Sequence, residues 1–492
     1  MRTHWLRATL KGTIGAATVV ATITGAALGV PVASAAPHSS AGSPGFPAGR
    51  SLAPGTRFFV PPPAQGSIVQ IAHLIAQGDL ADAHLLALME STPSAVWFTG
   101  TTPSGDQQTP RQVEMQARLT MLQAALQRAV PVLVVYNIPG RDCSQYSAGG
   151  APSDAAYQAW VSGLARGIGW GKAVVLVEPD GLANLPSNCS YAGEPNAPTD
   201  TSRIADIKYA VSAFEQDPNV AVYLDGGHSA WQPVGTIAQR LVEAGVADAQ
   251  GFFLNVSNYQ YATNNVFYGT WVSECIALGG GSLTYDYADN CPNQYWNGGP
   301  ATSWQGTALS PYGVWSDSSP ELDLSTAGIG SRYASLLGTT VPTTHFVIDT
   351  SRDGAGPNDM ALYASAPYDQ PQSVISTLQS GNWCNPVGAG LGARPTAGTS
   401  SISPLLDAYL WVKIPGQSDG QCDAAGGVRA WDNSAYTPPV PGWPSTTDPS
   451  FSTFDPLWSI QTGTLTTDPA AGQWFPAQAL QLAQDAVPPL GS

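Results

Sequence analysis

The chain has 492 residues, of which only 11% are charged, against 52 Gly, 42 Pro, 15 Trp and 18 Tyr. Few charges with many aromatics exclude a disordered chain. A net charge of −16 excludes nucleic acid and anionic membrane surfaces as partners, because Lys and Arg hold both.

In chain order, the first element is a processing segment. Arg2, Arg7 and Lys11 form a basic start, Gly12 to Val32 is uncharged and apolar, and Ala33-Ser34-Ala35 supplies a small-residue cleavage site. Residues 1–35 therefore read as a signal peptide, the mature protein as secreted and extracellular, and its disulfides as permitted. No membrane contact is expected after signal removal. A Pro/Gly/Ser-rich flexible lead at 36–56 follows, and 57–492 reads as one catalytic domain, monomeric, without an internal repeat or a separate carbohydrate-binding module.

Short β-branched runs then recur: Ala95–Phe98, Val132–Tyr136, Ala173–Val177, Val220–Leu224, Gly251–Leu254, Phe346–Ile348 and Ala408–Val412. Continuous apolar runs of this length suit strands buried on both faces. Helix-like stretches lie between several of them: Pro110–Ala129, Asp154–Trp170, Thr201–Glu215, Gly235–Ala244 and Leu324–Leu337. Asp154 and Asp200 stand as N-caps for two of these. The alternation predicts an α/β fold, a distorted (β/α) barrel of about seven parallel strands. Two long segments, 260–345 and 421–472, break the rhythm and read as lid loops. Cys275 and Cys291 are placed to staple the first. Trp160, Trp170 and Trp411 sit on helix or strand patterns and read as core.

In a parallel barrel the working residues come from the C-terminal ends of the strands. There stand Tyr136 and Asp142, Asp180, Asp225, Asn255 and Asn258, Asp349 and Asp353, and Lys413 with Asp419. Carboxylates recur, while no Cys or His spacing suggests a metal ligand set, so no metal and no cofactor are expected. Paired carboxyls are what glycoside hydrolysis needs, one to protonate the leaving oxygen and another to help water attack. The acid must stay protonated near neutral pH, through burial or a neighbouring negative charge. His228 reads as a neutral partner in a polar network or a substrate contact. Asp225 reads either as a loop-ordering acceptor or as a direct participant. Asp142, beside Arg141, has an ion pair as its plainer alternative.

The strings themselves are more specific. VVYNIPGRDC (134–143), VLVEPDGLANL (175–185), YLDGGHSAW (223–231), NVSNY (255–259), DTSRDG (349–354), NWCNPVGAGLGARPT (382–396) and DAYLWVKIPGQSDG (407–420) occur in order. Together they resemble glycoside hydrolase family 6, the cellulase and cellobiohydrolase family, and NWCNPVGAGLGARPT looks closer to its exo-acting bacterial members.

The resemblance implies an inverting cellulase with Asp180 as acid and Asp142 as the carboxylate that raises the acid's pKa and relays protons. It implies Tyr136 against the distorted sugar and Asp419 as the base usually proposed. Asp225, His228, Asn258 and Lys413 fall beside the groove, and Trp97, Trp231 and Trp383 at sugar-stacking positions. It pairs Cys143 with Cys189 and Cys384 with Cys422, which leaves Cys275 with Cys291. The substrate implied is a β-1,4-glucan, with cellobiose released from non-reducing ends; an open-groove endoglucanase is the alternative mode.

Three departures stand out. Gln417 occupies a position where the family has Glu, QPV follows Trp231, and Asp353 replaces the more usual Asn. Gln417 alone favours a different class, a catalytically impaired glucan-binding protein.

Overall fold

The structure, a computed structural model, describes residues 52–491 apart from 145, 190–196, 296–306, 421–468 and scattered positions between 366 and 399. The signal segment, most of the lead and Cys422 lie outside the described residues, and the pairing expected for Cys384 with Cys422 lies outside them too.

Eight strands form one sheet in the order β1-β2-β3-β4-β5-β6-β8-β7. They are β1 (Val96–Phe98), β2 (Val132–Val135), β3 (Ala173–Val177), β4 (Val220–Asp225), β5 (Gly251–Leu254), β6 (His345–Asp349), β7 (Thr396–Ala397) and β8 (Leu406–Leu410). The first six and β8 pair in parallel, so the seven expected parallel strands are all present. Two details differ. The two-residue β7 adds an antiparallel edge to β8, and β8 ends at Leu410, two residues before the expected end. Beyond it the Val412 amide leaves the ladder and donates to the Asp349 carboxylate at 3.0 Å.

The strands read as unbroken apolar runs because both faces are covered. Leu133, Val135, Val175, Val177, Val222 and Leu224 point outward into a core shared with the helices. Val132, Val134, Val174, Leu176, Ala221 and Tyr223 point inward and fill the barrel with Phe253, Val347, Ala408 and Leu410. This is the period of two expected of strands, with neither face polar. The sheet curls until β1 approaches the end of β8. There the Ala95 amide donates to the Trp411 carbonyl at 2.9 Å, and Trp97 Nε1 donates to the Val412 carbonyl at 2.8 Å.

Helices α1 (Gln65–Gln77) and α2 (Leu80–Glu90) precede β1, the crossovers carry α3 (Pro110–Gln127), α4 (Asp154–Ile168), α5 (Asp200–Phe214), α6 (Val234–Glu243), α7 (Ala262–Gly279), α8 (Tyr287–Asn290) and α9 (Ala327–Leu337), and α10 (Pro476–Gln484) follows β8. The caps of α4 and α5 correct the sequence expectation. Ser153 accepts from the Ala156 amide, and Thr199 forms a reciprocal capping box with Ser202. Asp154 and Asp200 occupy the first turn instead, where their charge meets the positive end of the helix dipole. On α4, a Cβ at Gly163 would stand 2.3 Å from the Pro110 carbonyl oxygen, so glycine there lets α3 and α4 approach closely.

The segment 260–345 is not chiefly a lid. Much of it is α7, α8 and α9, packed on the barrel flank. Cys275 and Cys291 are bonded to each other and fully buried, so they tie α7 to α8 within the outer core rather than staple a cover. Trp160 and Trp411 are core, but Trp170 is 78% exposed. Helix α4 stops at Ile168, and Gly169 turns with φ +62°, which takes Trp170 off the helical pattern. Among the described residues no helix is long and apolar enough to cross a membrane.

Candidate active site

A cleft of about 1360 Å³ lies over the C-terminal ends of the strands, where the residues just past each strand converge. Trp97, Tyr136, Asp142, Asp180, His228, Trp231, Asn258, Trp383, Lys413 and Asp419 all line it, together with Gln417. Asp225 lies behind it.

Asp180 follows β3 with φ +65°, two residues after Glu178 at φ +53°. Glu178 is fully buried and accepts from the Asn137 amide at 3.0 Å and the Ile138 amide at 3.1 Å. This contact fixes the loop after β2 to the loop after β3. Burial pushes the Glu178 carboxyl up to about 7, against the pull of those amides. The Asp180 carboxyl is held well above the usual carboxylate range, by burial first and then by Asp225 and Asp142.

Burial raises Asp225 as well, but backbone N–H groups favour its charged form. Its Oδ2 accepts from the Leu182 and Ala183 amides at 3.1 and 2.7 Å, and its Oδ1 from Gly227 at 3.0 Å. Of this pair Asp225 is therefore the anion and Asp180 holds the proton. Asp225 also shapes the loop that carries Asp180.

Asp142 sits in a short turn with φ +58° beside the Cys143–Cys189 disulfide. Its Oδ2 accepts from the Ser147 amide at 2.6 Å. Burial raises its carboxyl to about 6, while that amide, Arg141 and Lys413 oppose the rise. The Arg141 guanidinium holds the carbonyls of Thr99, Tyr136 and Ser147 and lies 4.7 Å from the Tyr136 ring centre. It locks Tyr136, which also meets Trp97 edge-on at 5.3 Å.

Asp419 has a different character. Arg352 Nη1 reaches both of its oxygens at 3.0 and 2.8 Å, Lys413 Nζ stands 3.0 Å from Oδ1, and Oδ2 accepts from Tyr259 and the Asn385 amide. Burial favours its neutral form, yet Arg352 and Lys413 outweigh that and hold the carboxyl far below its ordinary value. Asp419 is a fixed negative charge. The turn ahead of it is set by Gly416, at φ +83°, where a Cβ would run into the Trp474 ring.

Asp349 gathers the loops beneath the cleft, accepting from Ser351 and Val412 on one oxygen and Ser257 and Lys413 on the other. Asp353 is buried, and burial holds its carboxyl well up. Asn255 spans Gln260 and the Asp349 carbonyl. His228 Nδ1 accepts from the Ala230 amide at 3.2 Å, and burial pushes the ring down to about 3. Its imidazole is neutral, with the proton on Nε2, and stands 5.5 Å from Trp231.

A family model described as "Glycosyl hydrolases family 6" matches residues 53–486. The chain belongs to this family. Its relatives carry both names the family uses. Endoglucanase A of Cellulomonas fimi is 31% identical over 378 residues, 77% of this chain and 59% of that protein. Exoglucanase A of the same species is 29% identical over 391 residues, 73% of this chain and 39% of that protein. The chain thus spans about three fifths or less of these family 6 relatives.

Among solved structures, the endoglucanase Cel6 of Mycobacterium tuberculosis, held in a complex with a methyl-cellobiosyl-thio-cellobioside, superposes with a TM-score of 0.52. The identity is 26%, covering 88% of this chain and 97% of that one. Cellobiohydrolase II of Humicola insolens gives 0.52 at 21% identity over 88% and 98%, a likeness of fold.

Within this family 6 site, sequence reasoning missed Arg352, Tyr259 and Asn385. Arg352 is 1% exposed, and its guanidinium lies 4.3 Å from the Tyr259 ring centre. The available signal was a cation three residues past a strand end, amid carboxylates, in a chain with only 19 Lys and Arg.

Proposed function

We propose that the protein hydrolyses the β-1,4-glucosidic bonds of a cellulose-type glucan with inversion, and that Asp180 is the acid. The observation that carries this is a recessed carboxyl kept neutral by burial and by the charges of Asp225 and Asp142, in an aromatic-lined cleft. Asp180 gives its proton to the leaving glycosidic oxygen as the bond to the anomeric carbon breaks. A water on the opposite face forms the new bond, and its proton passes to Asp142, whose carboxyl near 6 can take and return it. Asp419 supplies negative charge toward the oxocarbenium-like centre; its ion pairs make it too weak a base to receive the proton. Tyr136, backed by Arg141, presses on the sugar, and Trp97, Trp231 and Trp383 offer stacking faces.

Release of cellobiose from non-reducing ends requires a covered groove. Of segment 260–345, Pro311 and Tyr312 are the described residues from its second half that reach the cleft, and its helices lie on the flank. Most of the second expected lid, 421–472, lies outside the described residues, and its described end reaches the cleft through Ala471 and Gly472, so product analysis decides between release from chain ends and internal cleavage.

The test follows the viscosity of carboxymethylcellulose together with soluble sugars from amorphous cellulose. A fast viscosity drop with mixed oligosaccharides supports internal cleavage, and cellobiose with little viscosity change supports action from chain ends. Asp180→Ala removes hydrolysis of unactivated glucan while leaving glucan binding largely intact; full activity in that variant removes Asp180 as the acid. Binding without sugar release from the parent chain would bring forward the impaired binding protein, with Gln417 as first suspect.

A further inference from the structure

A second groove, of about 560 Å³, opens between the C-terminal halves of α4 and α5. Both helices run back from the catalytic face, so this groove lies toward the opposite end of the barrel, where β3 and β4 begin. Trp170 stands in its wall. Among the described residues Trp170 is the most exposed tryptophan, and Asn219 Nδ2 donates to its backbone carbonyl at 3.3 Å.

The rest of the lining sets apolar residues, Ile168, Phe214 and Val220 among them, beside polar ones. Tyr209 and Ser162 share a hydroxyl hydrogen bond of 2.7 Å. Arg166 is anchored through Nε to Glu114 at 3.1 Å. The Asp217 Oδ1 accepts from the Asn219 amide at 2.9 Å, while its buried Oδ2 has no hydrogen-bond partner. Gln216 adds an amide at the rim.

We propose that this groove is a second, non-catalytic binding site for a β-1,4-linked glucan segment, with Trp170 as its stacking platform. Every hydroxyl of a β-linked glucosyl unit is equatorial, so the ring presents a flat C–H face to an indole and a rim of hydroxyls to side chains. A flat exposed ring with Gln216, Arg166 and the Tyr209 hydroxyl in the same lining matches that pattern, and the volume accommodates a short oligosaccharide. A neutral polymer also meets no repulsion from this acidic chain. The assignment of glucan rests on the hydrolase reading of the cleft, but the groove shares no lining residue with it.

The experiment measures retention on amorphous cellulose of the full chain carrying Asp180→Ala, with and without Trp170→Ala, and kcat/KM on cellotetraose for Trp170→Ala in the otherwise unaltered chain. Retention falls about three- to tenfold on loss of one stacked ring, and kcat/KM on the soluble substrate stays as in the parent. Unchanged retention overturns the proposal and leaves the groove to some other partner. A parallel fall in kcat/KM on cellotetraose also overturns it, since Trp170 would then act through the fold. If the parent hydrolyses no glucan but retention still depends on Trp170, the groove proposal stands and the hydrolase proposal falls.

Discussion

Two aspartates that look alike in sequence are separated by what surrounds them. Asp180 and Asp419 both follow strands and both line the cleft. Asp180 faces other carboxylates and keeps its proton, whereas Asp419 faces Arg352 and Lys413 and loses it. Asp142 lies between these extremes, at about 6. Activity needs Asp142 ionised and Asp180 protonated, so the acid limb of kcat/KM should fall near pH 6. Asp142→Asn removes a negative charge that raises Asp180. The alkaline limb therefore moves to lower pH, and the rate falls about 10²- to 10³-fold. A pH–rate profile checks both, and an unmoved alkaline limb would separate the two carboxyls. The strings around these residues pointed to their places, but not to their charge states. Those depend on Arg352, 67 residues away in the chain from Asp419, and on the Tyr259 hydroxyl, and no local string shows that either meets Asp419.

At the scale of elements, the strands were legible because both faces are apolar, and α3 to α6 because long stretches rich in helix formers lie between those strands, with α4 and α6 the most amphipathic. Helix α7 was not. Asn264, Asn265, Gly269 and Ser273 are buried in it alongside Val266 and Trp271, since it is packed by α6, α9 and β6 together. A helix enclosed on several sides has no amphipathic stripe, and its polar residues serve buried contacts, as Asn264 does toward Trp315 and Gly313. Helix starts were misread by one residue for a related reason. Either Ser153 or Asp154 is an acceptable cap by type, and only the extended backbone of Ser153 aims its oxygen at the Ala156 amide. Ser153→Ala should cost about 1 kcal/mol in chemical denaturation, and Asp154→Asn only about 0.3 kcal/mol through the helix dipole. The reverse order would return the cap to Asp154.

For the molecule as a whole, the buried carboxyls set how stability follows pH. Burial raises Asp142 and Asp206 to about 6, and Glu178 and Glu274 to about 7, from ordinary values near 4. Each keeps a proton in the folded chain that the unfolded chain surrenders, so its stabilising contribution is lost as pH rises through 6 and 7. His228, pushed down to about 3, works in the opposite sense over part of that range. Asp419 stabilises above about pH 4 and ceases to as its own depressed value is approached from above. His345, raised by its hydrogen bond to Asp407, acts in the carboxyls' sense, and together they outweigh His228, so Tm should peak near pH 5 and fall by several degrees by pH 8. Calorimetry across that range checks it, and a Tm that climbs toward pH 8 would mean these carboxyls are ionised in the folded protein.

The barrel's join between β1 and β8 carries a further consequence. Between neighbouring strands elsewhere, from β1 round to β8, runs a ladder of paired residues, but here the described links are the Ala95 amide and the Trp97 indole. Such a join resists separation less than the laddered ones, since fewer hydrogen bonds cross it. Trp97 stands on one lip of that line, and Lys413, with Asp419 in its grip, on the other. The two walls of the cleft thus meet across the join with the fewest described hydrogen bonds between them.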